Sequence, residues 1–251
     1  MNESKFNGMG KAYSQFRPTY PQAFIDYLCE KAGISKNSII ADIGSGTGIL
    51  TRQLLDVGAK VFAVEPNNDM SGIAEADLCG FTNFESIRGS AENTTLPDSS
   101  LDFVTVAQAF HWFDRKRFKD ECKRILKGSG KVVLVWNCRD ETSSLVCEND
   151  TVIRKHCPDF KGYSGGTRGE ENEGDFKDFF TGAYDIQVFH NDLTFNEHGF
   201  IGRNLSGSYA PKENEKGYPA YVDELRSLFA KYNDNGCLVM PNLTRSYVGV
   251  V

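Results

Sequence analysis

Short apolar runs alternate with amphipathic stretches through the first half of the chain, and this alternation predicts its elements. Ile39 to Ile43 is an apolar run with β-branched members, the pattern of a strand covered on both faces of a parallel sheet. Lys60 to Val64, Phe84 to Arg88, Leu101 to Ala107 and Lys131 to Trp136 repeat it. Helices fill the intervals. Phe24, Ile25 and Leu28 line one face of a helix over 21–32, with Pro21 near its first turn and Gly33 at its end. Ile49, Leu50, Leu54 and Leu55 form a stripe that stops at Gly58, and residues 68–78 form the next helix. Residues 114–126 are amphipathic, with Phe118, Cys122, Ile125 and Leu126 inward and Gly128 and Gly130 closing the helix. Strand–helix alternation of this kind specifies an α/β fold with a parallel, doubly wound sheet.

Past Asn137 the alternation weakens. Residues 143–157 read as a helix, 158–175 as a surface excursion rich in Gly, Glu and Asp, 185–195 as a strand, 221–232 as a helix and 243–251 as a closing strand. No internal repeat, low-complexity tract or linker divides the chain, so the expectation is one domain over 1–251.

The candidate chemistry lies at the carboxyl ends of these strands, where open α/β sheets bind ligands. The first strand runs into Gly44-Ser45-Gly46-Thr47-Gly48. Backbone without a Cβ can press against a ligand there, and the free N–H groups of the helix start face it. The second strand ends in Glu65-Pro66-Asn67, where an acidic residue can accept both hydroxyls of a ribose. The fourth runs into an aromatic cluster, Gln108-Ala109-Phe110-His111-Trp112-Phe113-Asp114. Ahead of all of these, residues 6–21 form an arm carrying Tyr13, Arg17 and Tyr20, read either as a strap packed on the domain or as a lid over a ligand. The glycine spacing discriminates between cofactors. Dinucleotide sites use Gly-x-Gly-x-x-Gly to seat a pyrophosphate, whereas Ile49 stands here at the third glycine's place, which favours a ligand lacking a pyrophosphate.

Composition narrows the partners. With 40% hydrophobic content, 251 residues can bury a full core, and no apolar run approaches the length of a membrane span. The formal net charge of −6 argues against a nucleic-acid surface. The seven cysteines are odd in number and irregularly spaced, which fits neither a disulfide framework nor a metal site. The N-terminal residues lack the apolar core of a signal peptide, so the expected location is cytoplasmic.

Asp42 to Gly48, Glu65 and the Gln108 to Asp114 cluster together resemble the class I S-adenosylmethionine-dependent methyltransferases, and within them the small-molecule branch of trans-aconitate methyltransferase-like, type 11 proteins. In that branch an Arg-Pro-x-Tyr-Pro signature, here Arg17 to Pro21, accompanies an Ala-Phe-His-Trp-Phe segment, here Ala109 to Phe113. The resemblance is strong over residues 6–137. It implies a Rossmann-like, mostly parallel seven-stranded sheet with an antiparallel last strand, divided into an arm and helix (1–33), a cofactor-binding half (34–137) and an elaborated C-terminal half (138–251).

It also implies roles. Gly44, Ser45, Gly46 and Gly48 would pack against the methionine portion of S-adenosylmethionine, with Asp42 orienting the turn. Glu65, with Pro66 and Asn67 beside it, would hold the ribose. Met70 would lie on the adenine, and Ser90, Ala91 and Glu92 would meet its edge. Gln108 and Ala109 would meet the amino end. Tyr13, Arg17, Tyr20, His111 and Trp112 are the acceptor-side candidates, with His111 a base if the acceptor is a hydroxyl or amine. A carboxylate acceptor needs no base, and Arg17 would pair either with it or with the cofactor's own carboxylate. The fourth strand lacks the Asn/Asp-Pro-Pro-Tyr/Phe signature of exocyclic-amine methylation, and no Pro-Cys pair follows it, so the expected acceptor is a small molecule. A non-catalytic or modified-cofactor binding module and a nicotinamide-dependent oxidoreductase are the alternatives.

Overall fold

The computed structural model describes residues 18–160, 162, 176–207 and 209–251. Tyr13 and Arg17, and most of the 158–175 excursion, lie outside the described residues. The chain groups into two compact units, one made of segments within 1–137, 176–189 and 244–251, the other of segments within 138–175 and 190–243.

In the first unit, helix α1 (Gln22–Tyr27) continues through a wider turn, Leu28–Ala32, and ends where Gly33 takes a left-handed φ of 98° and its N–H reaches back to the Leu28 carbonyl. β1 (Ile39–Ile43), α2 (Ile49–Asp56), β2 (Lys60–Val64), α3 (Asn68–Leu78), β3 (Phe84–Ile87), β4 (Leu101–Ala107), α4 (Arg115–Ile125) and β5 (Leu126–Arg139) follow in order. The first five strands occupy the expected places. β5 is longer than its apolar run. It begins directly after α4, with Leu126 beside Leu101, and the register shifts before Phe103 pairs with Lys131. Gly128 and Gly130 therefore sit in the irregular start of a strand and not in a loop. A Cβ on Gly130 would come within 2.8 Å of the Leu126 side chain, which is why this bend takes glycine.

Among the described residues seven strands form one sheet in the order β3-β2-β1-β4-β5, then β9 (Asn242–Gly249), then β6 (Asp185–His190), mostly parallel with one antiparallel strand. β6 and β9 run in opposite directions. Thr181 donates to Val250 beyond one pair of ends, and Asn191 to Asn242 at the other. β1 pairs in parallel with β2 on one side and β4 on the other, so the chain reverses its direction of travel across the sheet at β1. That reversal creates a crevice at the carboxyl ends of β1 and β4. The core beneath it packs Phe24, Leu28, Ile40, Leu54, Val61 and Val133, all fully buried.

The second unit holds α5 (Ser144–His156), β7 (Leu193–Phe195), α6 (Glu197–Leu205), α7 (Tyr218–Tyr232) and β8 (Leu238–Met240). The predicted strand over 185–195 divides at Asn191-Asp192, residues that favour turns, and β7 pairs with β8 in a separate antiparallel hairpin. α6 has no counterpart in the sequence reading. Gly199 and Gly202 weaken its helical signal, and the cap that starts it, Asn196 accepting from Gly199 N at 2.8 Å, is short-range polar chemistry. Its core is Leu145, Ile153, Phe200, Tyr221, Leu225 and Phe229. Among the described residues no helix is long and apolar enough to cross a membrane, and no group of His, Cys, Asp and Glu could hold a metal ion.

Candidate functional site

β1, β2 and β4 bring three strand tips side by side, and most of the predicted cofactor residues stand on them. Gly44, Gly46 and Gly48 all have positive φ (68°, 57° and 81°), a backbone path that side chains strain to follow. Their surroundings differ. A Cβ on Gly44 would lie 2.7 Å from the Ala109 Cβ and 3.3 Å from the Phe113 ring, and one on Gly48 would lie 2.8 Å from Leu78, so these two glycines are packed from behind. A Cβ on Gly46 would meet nothing within 4 Å. The turn is closed on two sides and open at its middle.

Asp42 fixes the turn from below. It is 1% exposed and paired laterally with Ala63 and Thr105 in the sheet. Its carboxylate accepts from Thr51 Oγ1 at 2.6 Å and Thr105 Oγ1 at 2.8 Å, joining β1 to the first turn of α2 and to β4. Burial pushes its pKa up to about 6, the two hydroxyls and the Thr51 backbone N–H pull against that, and the nearby Glu65 charge adds to it. Thr51 and Thr105 were not legible as site residues from the chain, since a threonine in a helix or a strand carries no signal of its own.

Glu65 leaves the end of β2 with both carboxylate oxygens oriented by backbone. Oε2 accepts from Gly46 N at 2.9 Å and Oε1 from Asn67 N at 2.9 Å. The acidic tip and the glycine turn are thereby one structure. Pro66 follows it, half-buried. Asn67 caps α3, its Oδ1 accepting from Asp69 N at 3.0 Å and Met70 N at 3.1 Å, and Met70 is buried behind that cap.

At the tip of β4, Gln108 is a non-glycine residue at φ 61°. Its N–H reaches the Val135 carbonyl at 3.0 Å and its side-chain amide the Asn137 carbonyl at 3.2 Å. Residues held in this region away from glycine concentrate at functional sites. Phe110 is 1% exposed and anchors the turn after it, with ring centroids 4.8 Å from Phe179 and 5.6 Å from Phe176. Trp112 is 43% exposed, and its ring lies 4.8 Å from that of His111. Burial pushes the His111 imidazole down to about 4, and its Nδ1 is buried without a hydrogen-bond partner. At neutral pH this ring is uncharged.

Ser90 and Asn93 exchange two backbone hydrogen bonds, which turn the chain tightly around buried Ala91. Glu92 Oε1 accepts from Asp114 N at 2.9 Å, tying this loop to the cap of α4. Tyr20 belongs to the hydrophobic core. It is 5% exposed, packs 5.8 Å from Phe24, and its N–H and carbonyl are both clamped by the Gln53 side chain. Asn137 was missed in the sequence reading although it links several parts of the site. Its amide donates to the carbonyls of Pro18 and Thr19 at 3.3 Å each, and its Oδ1 accepts from Thr244.

A Rossmann-like sheet with a glycine turn after β1, an acidic residue locked to it from β2 and an aromatic turn after β4 defines the class I methyltransferase fold. Residues 41–134 match a family model described as a methyltransferase domain. An uncharacterized methyltransferase of Mycobacterium tuberculosis is 39% identical over 142 residues, covering 57% of this chain and 56% of that protein. An uncharacterized methyltransferase-like protein of Schizosaccharomyces pombe is 34% identical over 152 residues, with 59% and 58% covered. The chain spans about half the length of the curated relatives it matches. A solved structure from Anaeromyxobacter dehalogenans, a candidate type II methyltransferase, is similar with a TM-score of 0.63 at 19% identity, covering 94% of this chain and 98% of that one, a likeness of fold.

Proposed function

We propose that this protein is an S-adenosylmethionine-dependent methyltransferase acting on a small-molecule acceptor. The observation that carries the reading is the joint of Glu65 with Gly46: a carboxylate aimed by backbone N–H groups, beside the one glycine of the turn that faces open space. The residues fit the cofactor. Ser45 and Thr47 hold buried hydroxyl oxygens without partners, so polar groups of the turn await a ligand. Gly44 to Gly48 would seat the methionine portion, Glu65 the ribose hydroxyls, Met70 the adenine face and Ser90 to Glu92 its edge. Gln108 and Ala109 would meet the amino end.

When bound, the cofactor supplies a methyl group on a sulfonium, which a nucleophile displaces in line. What remains for the protein is to align the acceptor and exclude water. Trp112 and His111 stand on the turn that abuts Gly44 through Ala109, and they are proposed, with Tyr13 and Arg17, as the acceptor side. His111 is uncharged at neutral pH, but the burial that keeps it so also makes it a weak base for a hydroxyl acceptor, whereas a carboxylate acceptor needs no base. The end of β4, Ala107-Gln108-Ala109-Phe110, supports a small molecule over an exocyclic base amine. The seven cysteines, odd in number and irregularly spaced, support a reducing, cytoplasmic setting.

Thermal shift with S-adenosylmethionine, S-adenosylhomocysteine and NAD tests the cofactor class, and only the first two are expected to stabilise the protein. Methyl transfer from labelled cofactor to a panel of small acids and phenols then separates an enzyme from a binding module. Glu65→Ala is expected to weaken S-adenosylhomocysteine binding by about tenfold or more, the worth of losing charged hydrogen bonds. Full affinity in that variant would refute the ribose assignment.

A further inference from the structure

The chain between Ala91 and Leu101 is held by a polar clamp that the site itself does not use. Glu121, on the buried side of α4, accepts from Thr94 N at 2.8 Å and Thr94 Oγ1 at 2.6 Å. The same carboxylate receives the Arg124 fork, Nε at 2.8 Å and NH2 at 2.7 Å. Arg124 NH1 then reaches past it to the Leu96 carbonyl at 2.8 Å and to Asp98 at 2.6 Å. Thr94 and Leu96 are thus gripped on either side of Thr95.

Thr95 is the residue that makes the grip informative. It is β-branched and has φ 63°, a backbone conformation in which its side chain crowds the chain. Such a residue persists only where its surroundings over-determine it, and here the determinants are Glu121 and Arg124. The strained turn follows the Ser90–Asn93 pairing directly, so the path of Thr94 to Leu96 sets where Ala91 and Glu92 stand. The other end of α4 is fastened to the same loop through Asp114 and Glu92. One helix therefore holds the loop at both margins.

We propose that Glu121 and Arg124 are positioning residues that hold the Ser90–Glu92 loop for the base of the cofactor, an inference that rests on the cofactor reading above. They touch neither donor nor acceptor and act through Thr94 and Leu96. Cutting the clamp releases Thr95 from its strained φ and lets the loop drift from the base while leaving the glycine turn, Asp42 and Glu65 in place.

The test is calorimetric binding of S-adenosylhomocysteine and of S-inosylhomocysteine, which alters only the edge of the base, to the unaltered protein and to Glu121→Gln, Arg124→Lys and Thr94→Val. Melting temperatures are recorded alongside. The expected result is a loss of S-adenosylhomocysteine affinity of about tenfold in each variant, with the preference for adenine over hypoxanthine compressed toward unity. Thr94→Val removes one hydroxyl and keeps the ion pair, so it carries the test if Glu121→Gln does not fold. Variants that melt earlier yet keep both the affinity and the preference would reduce the clamp to a structural role and overturn the inference. Unaltered protein that binds neither ligand would overturn the cofactor reading, and this inference with it.

Discussion

Asp42 is a fully buried carboxylate held by two hydroxyls and a backbone N–H, with no cation beside it among the described residues, and its pKa of about 6 against an ordinary 3.8 makes it a measurable cost. The sign follows from proton binding. Between the two pKa values the folded state binds more protons than the unfolded state, so the contribution of Asp42 is fully favourable below about 3.8 and is lost as pH rises through about 6. A shift of about two units corresponds to about 3 kcal/mol at neutral pH, of which about 2 kcal/mol falls between about pH 4.5 and about pH 7.5. Asp42→Asn removes the ionisation and keeps the shape. Exchanging an oxygen for an amide has its own cost against Thr51 and Thr105, but that cost does not depend on pH. The quantity to measure is therefore the difference between the two proteins, at each of two pH values. Urea unfolding followed by tryptophan fluorescence suits it, because Trp112 and Trp136 both lie in the same compact unit as Asp42. The expected outcome is that Asp42→Asn gains about 2 kcal/mol on the unaltered protein as pH rises from about 4.5 to about 7.5, roughly 1 M in urea midpoint. A difference that stays constant across that range would refute the assignment of an unpaired buried charge, and one of opposite slope would mean that a cation compensates it.

Gly44→Ala places a Cβ 2.7 Å from Ala109 at a left-handed φ, so it is expected to lower stability by about 2–4 kcal/mol, strain and overpacking together, read by the same unfolding curves. An unchanged midpoint would show that the turn and the tip of β4 are not packed as described. His111, with its pKa near 4, is expected to leave the pH–rate profile flat from about 5.5 to about 7.5. An inflection near the ordinary histidine value that disappears in His111→Asn would contradict a desolvated ring.

Where the fold is built from short, buried, repetitive chemistry, the chain announces it. β1, β2, β4 and α3 stand where their apolar runs place them, and the glycine spacing favours a ligand lacking a pyrophosphate. Glu65 was visible for the same reason, since its place at a strand end is a matter of counting. What stayed hidden is chemistry that depends on distant residues meeting. Thr51 and Thr105 stand 9 and 63 residues from Asp42, and Glu121 stands 27 from Thr94, and no local pattern marks either meeting. The neighbours of Tyr20 in sequence leave it open as part of a strap or of a lid, and the side chain that holds its backbone, Gln53, stands 33 residues away. The extended start of β5 and the helix α6 were missed through glycine, which reads as a stop and serves here as a bend and as a tolerated helix residue.

Three titrating groups of the first unit answer acid in different ways, and their combination explains why a difference measurement is needed to see any one of them. As pH falls from about 6.5 toward 4, His111 must be charged in a buried place and withdraws stability, because its folded pKa is depressed. Over nearly the same interval Asp42 becomes protonated and returns stability, because its folded pKa is raised. The shifts are opposite in sign, so the two contributions oppose one another in the unaltered protein. Glu121 differs in kind. Burial alone would raise its pKa, but the Arg124 fork and both Thr94 donors outweigh burial and hold it at about 2, so its contribution is intact above the ordinary 4.5 and fails only as pH falls through about 2. The carboxylate beneath the glycine turn is thus satisfied by neutral donors and carries a cost at neutral pH, while the one behind the loop at 90–98 is satisfied by a guanidinium and carries none. A strained loop needs the second arrangement, because a clamp that weakened near neutrality would release Thr95 under the conditions in which the site must stay ordered.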